Sequence, residues 1–225
     1  GPDRTPLAPK TLEYLAKQGV RLTSFYSNGP ECSPTRTGLM TGRYQHRVGG
    51  LECAIGLGNV GRYDDAIRLA NQHQLGLPAE RSVLARGLKD AGYATAICGK
   101  WHLGYESKFL PLKHGFDYAF GPLGGNIDYF HHHEPGGQPM LYQNDQPVER
   151  KGYMTDLIAE EACSFLRRTK QPFFLYVPFN APHSPFQGPN DGGQPPLTSE
   201  NMIRGSREKY AEMVERLDDR VGTIL

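Results

Sequence analysis

Glu31-Cys32-Ser33-Pro34-Thr35-Arg36-Thr37-Gly38-Leu39-Met40-Thr41-Gly42-Arg43 is the stretch around which the rest of the chain is organised. Ser33 ahead of Pro34 predicts a helix start, with Ser33 as the N-cap and proline in the first turn. Leu39 and Met40 then supply a buried face, and Gly42 takes the left-handed stop. On that geometry Cys32 sits at the N-terminal mouth of the helix, where free N–H groups and the helix dipole attract anions. Arg36 lies four residues on, one turn below and on the same side. A nucleophile-sized side chain, a fixed cation and an anion-binding helix end converge. The same residues also fit a buried packing cysteine beside a surface arginine.

Upstream, Lys10 to Gln18 reads as a helix with Leu12, Leu15 and Ala16 on one face and Gly19 as its stop. Val20 to Tyr26 alternates as a strand and leads into the Cys32 helix. Downstream, Val48 to Gln74 is Gly-rich without clear period and reads as an irregular excursion. Pro78 starts a helix striped by Val83, Leu84, Leu88 and Ala91 and ended by Gly92, and the strand Tyr93 to Cys98 follows. Pro111 to Gly137 reads as a long loop, and Met140 to Val148 as a hairpin turning at Asn144-Asp145. Thr155 caps a helix with Leu157, Ile158, Ala162, Phe165 and Leu166 inward. Phe173 to Val177 is an apolar run expected of a strand covered on both faces. After the Pro/Gly loop Pro178 to Pro196, Ser206 to Leu225 is an amphipathic helix with Tyr210, Met213, Leu217, Val221 and Ile224 on its stripe and Asp218-Asp219 toward solvent. Helix and strand alternate, so the class is α/β, a mainly parallel sheet sandwiched by helices, without repeats or a domain linker.

At 225 residues the chain can bury a substantial core. Lys+Arg 25 against Asp+Glu 24 leaves +1, so no strong field favours nucleic acid or a membrane surface. No run approaches the ~18 apolar residues of a membrane span. Cys32, Cys53, Cys98 and Cys163 are too few and scattered for a disulfide framework. The N-terminus shows no basic-then-apolar signal segment.

Lys100 and His102 sit just past a predicted strand end, bracketed by Gly99 and Gly104, with Trp101 pointing the opposite way to pack. Alone, such a pair is more often solvated than catalytic. His183, in Asn180-Ala181-Pro182-His183-Ser184-Pro185, follows the next strand in the same way, in a loop fixed by prolines. Asn126 and Asp128 are weaker candidates for substrate contacts. In His131-His132-His133, consecutive side chains alternate, so at most two share a face. A pocket rim suits them better than a metal site.

Cys32-Ser33-Pro34-Thr35-Arg36 followed by Leu39-Met40-Thr41-Gly42-Arg43 resembles the signature of type I sulfatases, members of the alkaline-phosphatase-like superfamily. Gly92-Tyr93-Ala94-Thr95 through Gly99-Lys100-Trp101-His102-Leu103-Gly104 resembles their second signature, and Ala181-Pro182-His183-Ser184-Pro185 their Ala-Pro-His-x-Pro segment. The resemblance implies a partial alkaline-phosphatase-like fold and hydrolysis of sulfate esters, the substrate being a sulfated carbohydrate or aryl sulfate. It implies that a maturation enzyme oxidises Cys32 to formylglycine, whose hydrate attacks sulfur and later releases sulfate as it collapses to aldehyde. Lys100 would bind sulfate oxygens, His102 would contact the hydrate, His183 would face the leaving-group oxygen, and Arg36 would hold the hydrate's alkoxide. A divalent cation, calcium or magnesium, would be ligated by the modified Cys32. Family habit implies export to periplasm, lysosome or outside.

Residues 1–225 are expected to form part of a sulfatase catalytic domain. The strand with paired aspartates that opens the family's domain, the later Asp-Asn/His pair and a second lysine are not found, and Thr5 to Ala16 is looser than the family pattern. These residues alone are expected to be inactive and poorly stable. Two alternatives remain: a phosphonate or phosphate ester hydrolase of the same superfamily, and a non-catalytic binder of sulfated glycans.

Overall fold

The computed structural model describes residues 9–56, 64–198 and 205–225. Three parallel strands form its centre: β1 (Ala94–Cys98), β2 (Tyr118–Pro122) and β5 (Phe173–Tyr176). A hairpin of β3 (Leu141–Gln143) and β4 (Gln146–Pro147) adds antiparallel to β2, giving the order β4-β3-β2-β1-β5. In the centre Ile97 lies between Ala119 of β2 and Tyr176 of β5. The expected α/β class holds, with parallel strands in the middle and an antiparallel edge.

Helices α4 (Leu84–Asp90) and α5 (Met154–Arg168) pack on β1. On α5, Leu157, Ile158, Ala162 and Phe165 are buried, which is the 3.6-residue spacing of one helical face. Fully burying a side chain the size of Ile158 is worth about 1.5–3 kcal/mol. Helix α6 (Arg207–Ile224) lies on α5, clamped by Arg216, which donates twice to Asp156 at 2.7 Å. Ser206 caps α6 by accepting the Lys209 N–H at 3.1 Å. Helix α1 (Pro9–Gln18) rests on α6, and α2 (Cys32–Thr41) on α4.

Several expectations are corrected. Val20 to Tyr26 forms no strand: Val20, Leu22, Phe25 and Tyr26 are exposed, and alternation without a hydrogen-bonding neighbour leaves the backbone unpaired. Leu15 and Ala16 of α1 are exposed, while the side chain of Leu12 lies outside the described residues. The excursion after Val48 contains α3 (Asp64–Asn71), and the loop after Pro111 contains β2. The helix expected from Pro78 begins at Leu84 after a short 3-10 turn, and Val83 is exposed. Tyr153, not Thr155, occupies the N-cap of α5. Strand β5 is partly open, with Phe173 exposed, because it is an edge. Leu39 is likewise exposed, whereas Met40 is buried.

Asp218 is also not on the solvent side. It is buried, its carboxylate accepts the Thr11 N–H at 3.0 Å, and its carbonyl accepts the Thr11 hydroxyl at 3.0 Å. This ties α1 to α6 across most of the sequence. Asp218→Ala is expected to lower stability by about 1–3 kcal/mol, since it strands a buried donor. Urea unfolding measures it, and an unchanged midpoint would show that the helix pair does not depend on this contact.

Candidate active site

All three parallel strands send functional side chains from their carboxyl ends, where open α/β sheets build their sites. Past β1 the chain goes on bonding to both neighbours. Gly99 N–H donates to Phe120 at 2.7 Å, Lys100 to Pro178 at 2.8 Å, Trp101 to Pro122 at 2.9 Å and His102 to Leu123 at 3.1 Å. Gly99 adopts φ 138°, and a Cβ there would meet the Pro178 carbonyl oxygen at 2.4 Å. Only glycine lets the two chains approach so closely. Trp101 packs inward as expected, donating from Nε1 to Phe109 at 2.8 Å and meeting Phe116 edge-on at 6.3 Å. Lys100 and His102 are both buried.

Helix α2 docks onto this strand end. Its N-cap is Glu31, not Ser33, and no side-chain bond caps it. Ser33 is fully buried and its hydroxyl donates to the His102 carbonyl at 2.9 Å while accepting the Ile55 N–H at 3.2 Å. Arg36 Nη1 donates to the Lys100 carbonyl at 2.5 Å and to Tyr176 Oη at 3.4 Å. Gly42 takes the expected left-handed stop at φ 64°, its N–H bonding to Gly38. Cys32 thus opens the helix with Lys100 Nζ at 3.3 Å from its sulfur, and Lys100 donates again to Gly125 at 3.1 Å.

His102 Nε2 bonds to the Ile55 carbonyl, which can only accept. In the neutral ring Nδ1 is therefore a lone pair, and it is buried without a partner. The ring also needs Gly125, where a Cβ would lie 2.3 Å from His102 Cε1. A hydrogen bond from His102, whose Nδ1 carries a hydrogen when the ring is protonated, and one from His183 favour the Cys32 thiolate, burial opposes it, and Lys100 adds to it; the thiol is pulled from 9.0 to about 4. Burial lowers the pKa of Lys100, against the pull of Cys32, and burial likewise lowers that of His102.

Cys32 separates two cavities. One, of about 670 Å³, is lined by Cys32, His102, Tyr105, Asn126, Glu134 and His183 among others. The other, of about 530 Å³, is lined by Cys32, Arg36, Lys100, Tyr176, Asn180 and His183 among others. The chain thus brings Cys32, Arg36, Lys100, His102 and His183 together. His183 is exposed; its loop is held by Tyr129, whose hydroxyl donates to the His183 carbonyl at 3.0 Å, and by its own N–H bond to Asn180 at 2.9 Å. Asn126 lines the first cavity with a buried, unpartnered Oδ1.

Asp128 does not join them. It is buried, and its carboxylate accepts from the N–H groups of Phe130, His131 and Leu197 and from the His131 ring at 2.8–3.2 Å. Burial raises its pKa, and these backbone donors outweigh it to leave the pKa lowered. It organises the loop. The histidine run is also not a rim of the Cys32 cavity but lines a separate depression with Arg150 and Lys151. His131 and His133 share a side, 6.5 Å apart, while His132 turns inward and its Nε2 bonds to Gly152 at 3.1 Å. Glu134, Tyr105 and Asn180 went unread as site residues, since lone loop residues carry no periodic signal, and so did Tyr176, which the sequence shows only as part of the apolar run of β5.

Among the described residues, no three His, Cys, Asp or Glu side chains come together as a metal site. A calcium ion takes about six to eight oxygens. The described residues do not supply that donor set. No disulfide joins the four cysteines, and among the described residues no helix is long and apolar enough to cross a membrane.

The family model described as Sulfatase matches residues 2–225. The chain belongs to the sulfatase family. It is 33% identical over 224 residues to arylsulfatase J of Mus musculus, covering 95% of this chain and 34% of that protein. It is also 33% identical over 231 residues to N-acetylgalactosamine-6-sulfatase of Canis lupus familiaris, covering 95% and 41%. The crystal structure of Ps i-CgsB in complex with k-i-k-neocarrahexaose superposes with a TM-score of 0.66 at 29% identity, covering 88% of this chain and 44% of that one. The chain therefore spans 34% and 41% of the length of these two curated relatives. The alkaline-phosphatase-like α/β fold follows with the family.

Iodoacetamide reacts with the thiolate. A Cys32 pKa near 4 makes the thiolate the main form at every pH above that value. The alkylation rate of unmodified Cys32 is expected to stay flat through neutral pH. His102→Gln should shift the rise upward most and Lys100→Met less. A wild-type rise centred at the ordinary thiol value would contradict this account of the site.

Proposed function

We propose that the whole protein is a sulfuric ester hydrolase acting on a sulfated sugar or aryl sulfate, with Cys32 as the precursor of formylglycine. The observation that carries this is the meeting at Cys32 of Lys100 Nζ, 3.3 Å away, with the buried His102 ring in the same cavity wall as Cys32. The Cys32-x-Pro34-x-Arg36 pattern and relatives named arylsulfatase and N-acetylgalactosamine-6-sulfatase support it. Cys32 fits the modification, since it is partly exposed between two cavities and not used in packing. Formylglycine would supply a hydrated aldehyde with one hydroxyl to attack sulfur and a second through which sulfate can leave.

The chain's own residues have distinct tasks. An ammonium has three N–H donors, and Lys100 uses two, on Cys32 and Gly125. The third is left for a sulfate oxygen. Arg36 is held by the Lys100 carbonyl and lines the second cavity, so its charge faces the developing negative oxygen. His102 Nδ1 is an acceptor positioned to hold a hydroxyl proton. His183 Nδ1 bonds to the Ser184 carbonyl at 2.6 Å and therefore carries a hydrogen. Its Nε2 can then donate only when the ring is protonated, as a leaving alkoxide requires.

Two measurements test the reading on the whole protein. After co-expression with a formylglycine-generating enzyme, mass spectrometry of the Cys32 peptide should find the CH₂SH group replaced by CHO. An unmodified thiol there, or faster release of phosphate than of sulfate from matched aryl esters, would overturn it. His183→Ala should lower kcat/KM for a sugar sulfate by about 10²–10⁴-fold. It should do far less to 4-nitrophenyl sulfate, whose phenolate leaves without a proton.

A further inference from the structure

The 670 Å³ cavity beside Cys32 has an uneven charge that the reaction does not use. Its lining holds one carboxylate, Glu134, and among the described residues no lysine or arginine. Glu134 stands in a tight turn, with its N–H bonded to Gln138 at 3.1 Å and its carbonyl accepting the Gly137 N–H at 2.8 Å. No cation pairs with it among the described ion pairs. Its one side-chain partner is the Tyr105 hydroxyl at 3.4 Å, and that hydroxyl also reaches the Ile55 carbonyl at 3.3 Å. One hydroxyl has one hydrogen, so Glu134 holds at most a share of it. Asn126 adds a buried Oδ1 with no donor in the same cavity.

Two hydrogen-bond acceptors thus line this cavity, one sharing a single hydroxyl hydrogen and the other with no donor. A partly buried acceptor without a partner is costly, so the missing donors are expected on the ligand. Resting on the sulfatase reading above, we propose that Glu134 and Asn126 select a neutral sugar whose free hydroxyls flank the sulfate ester, and that Glu134 excludes substrates carrying a second anionic group beside it. The hydroxyls donate to Glu134 and Asn126 while the ester sulfate sits at Cys32, a residue shared with the second cavity, where Lys100 Nζ lies 3.3 Å from the sulfur. A second sulfate or a carboxylate would face Glu134 with no lysine or arginine among the described residues of the wall to offset it. Glu134 is a specificity-determining residue on this account and takes no part in bond breaking.

Calorimetric titration of the whole protein with a neutral hexose 6-sulfate, its disulfated counterpart, its free-amine counterpart and 4-nitrophenyl sulfate tests this. The neutral sugar should bind at least about tenfold tighter than the disulfated one, the ratio expected for a hydrogen bond to a charged group. Glu134→Gln should collapse that ratio, mainly by improving the disulfated ligand, and leave 4-nitrophenyl sulfate within about twofold, a change typical of surface substitutions. A ratio unchanged by Glu134→Gln, equal binding of both sugars to the wild type, or a parallel loss of 4-nitrophenyl sulfate binding overturns the inference. Tighter binding of the free-amine sugar than of the neutral one overturns the hydroxyl assignment. Discrimination without any sulfate release would instead count against the catalytic reading alone.

Discussion

The carbonyl oxygens of Lys100 and His102 hold the site together, because α2 is bolted to them through Arg36 and Ser33. Residues 100 and 102 hand their N–H groups to the chain beyond the neighbouring strands and their carbonyls to α2, and both side chains line up at Cys32. A hydrogen bond from a charged donor contributes about 1.5–3 kcal/mol and a neutral one about 1. Those two bonds fix the axial position of α2 on the sheet. A slip of one helical turn, about 5.4 Å, would carry the sulfur out of reach of Lys100.

That arrangement also explains a charge balance. Lys100 is buried, and an ammonium there needs acidic or carbonyl partners. The Cys32 thiolate and the Gly125 carbonyl are what the chain provides. On the proposed reading, converting Cys32 to an aldehyde removes a negative charge while Lys100 and Arg36 remain. The pocket then lacks one anion, and a sulfate group restores it. The unmodified thiolate competes for the place where the substrate's charge would sit.

The sequence made the site more legible than the sheet. Cys32, Arg36, Lys100, His102 and His183 could be found because helix starts and strand ends are punctuated by glycine and proline, and the structure brings all five together. The role of Ser33 could not, since a serine before proline reads locally as a cap while its real partners are 22 and 69 residues away. Strand β2 was hidden because Tyr118-Ala119-Phe120-Gly121-Pro122 ends in two residues that ordinarily break strands. Val20 to Tyr26 failed in the opposite direction: periodicity describes faces, but a strand also needs a neighbour. Asp218 looked solvated because its partner, Thr11, lies 207 residues away.

Glu134 and Asp128 show why an acidic residue in a loop cannot be assigned from sequence alone. They are six residues apart in the same connection between β2 and β3. Asp128 spends both oxygens on four donors, three from its own loop and the N–H of Leu197, and so shapes the backbone. Glu134, past the turn of the chain, has one shared donor and faces the cavity. The difference is donor supply: a carboxylate whose lone pairs are filled by backbone is structure, and one left open beside a cavity is available to a ligand. Because the base of the site is built from strand ends and its wall from this turn, changes in the wall can alter what binds while leaving Lys100, His102 and Cys32 where they are.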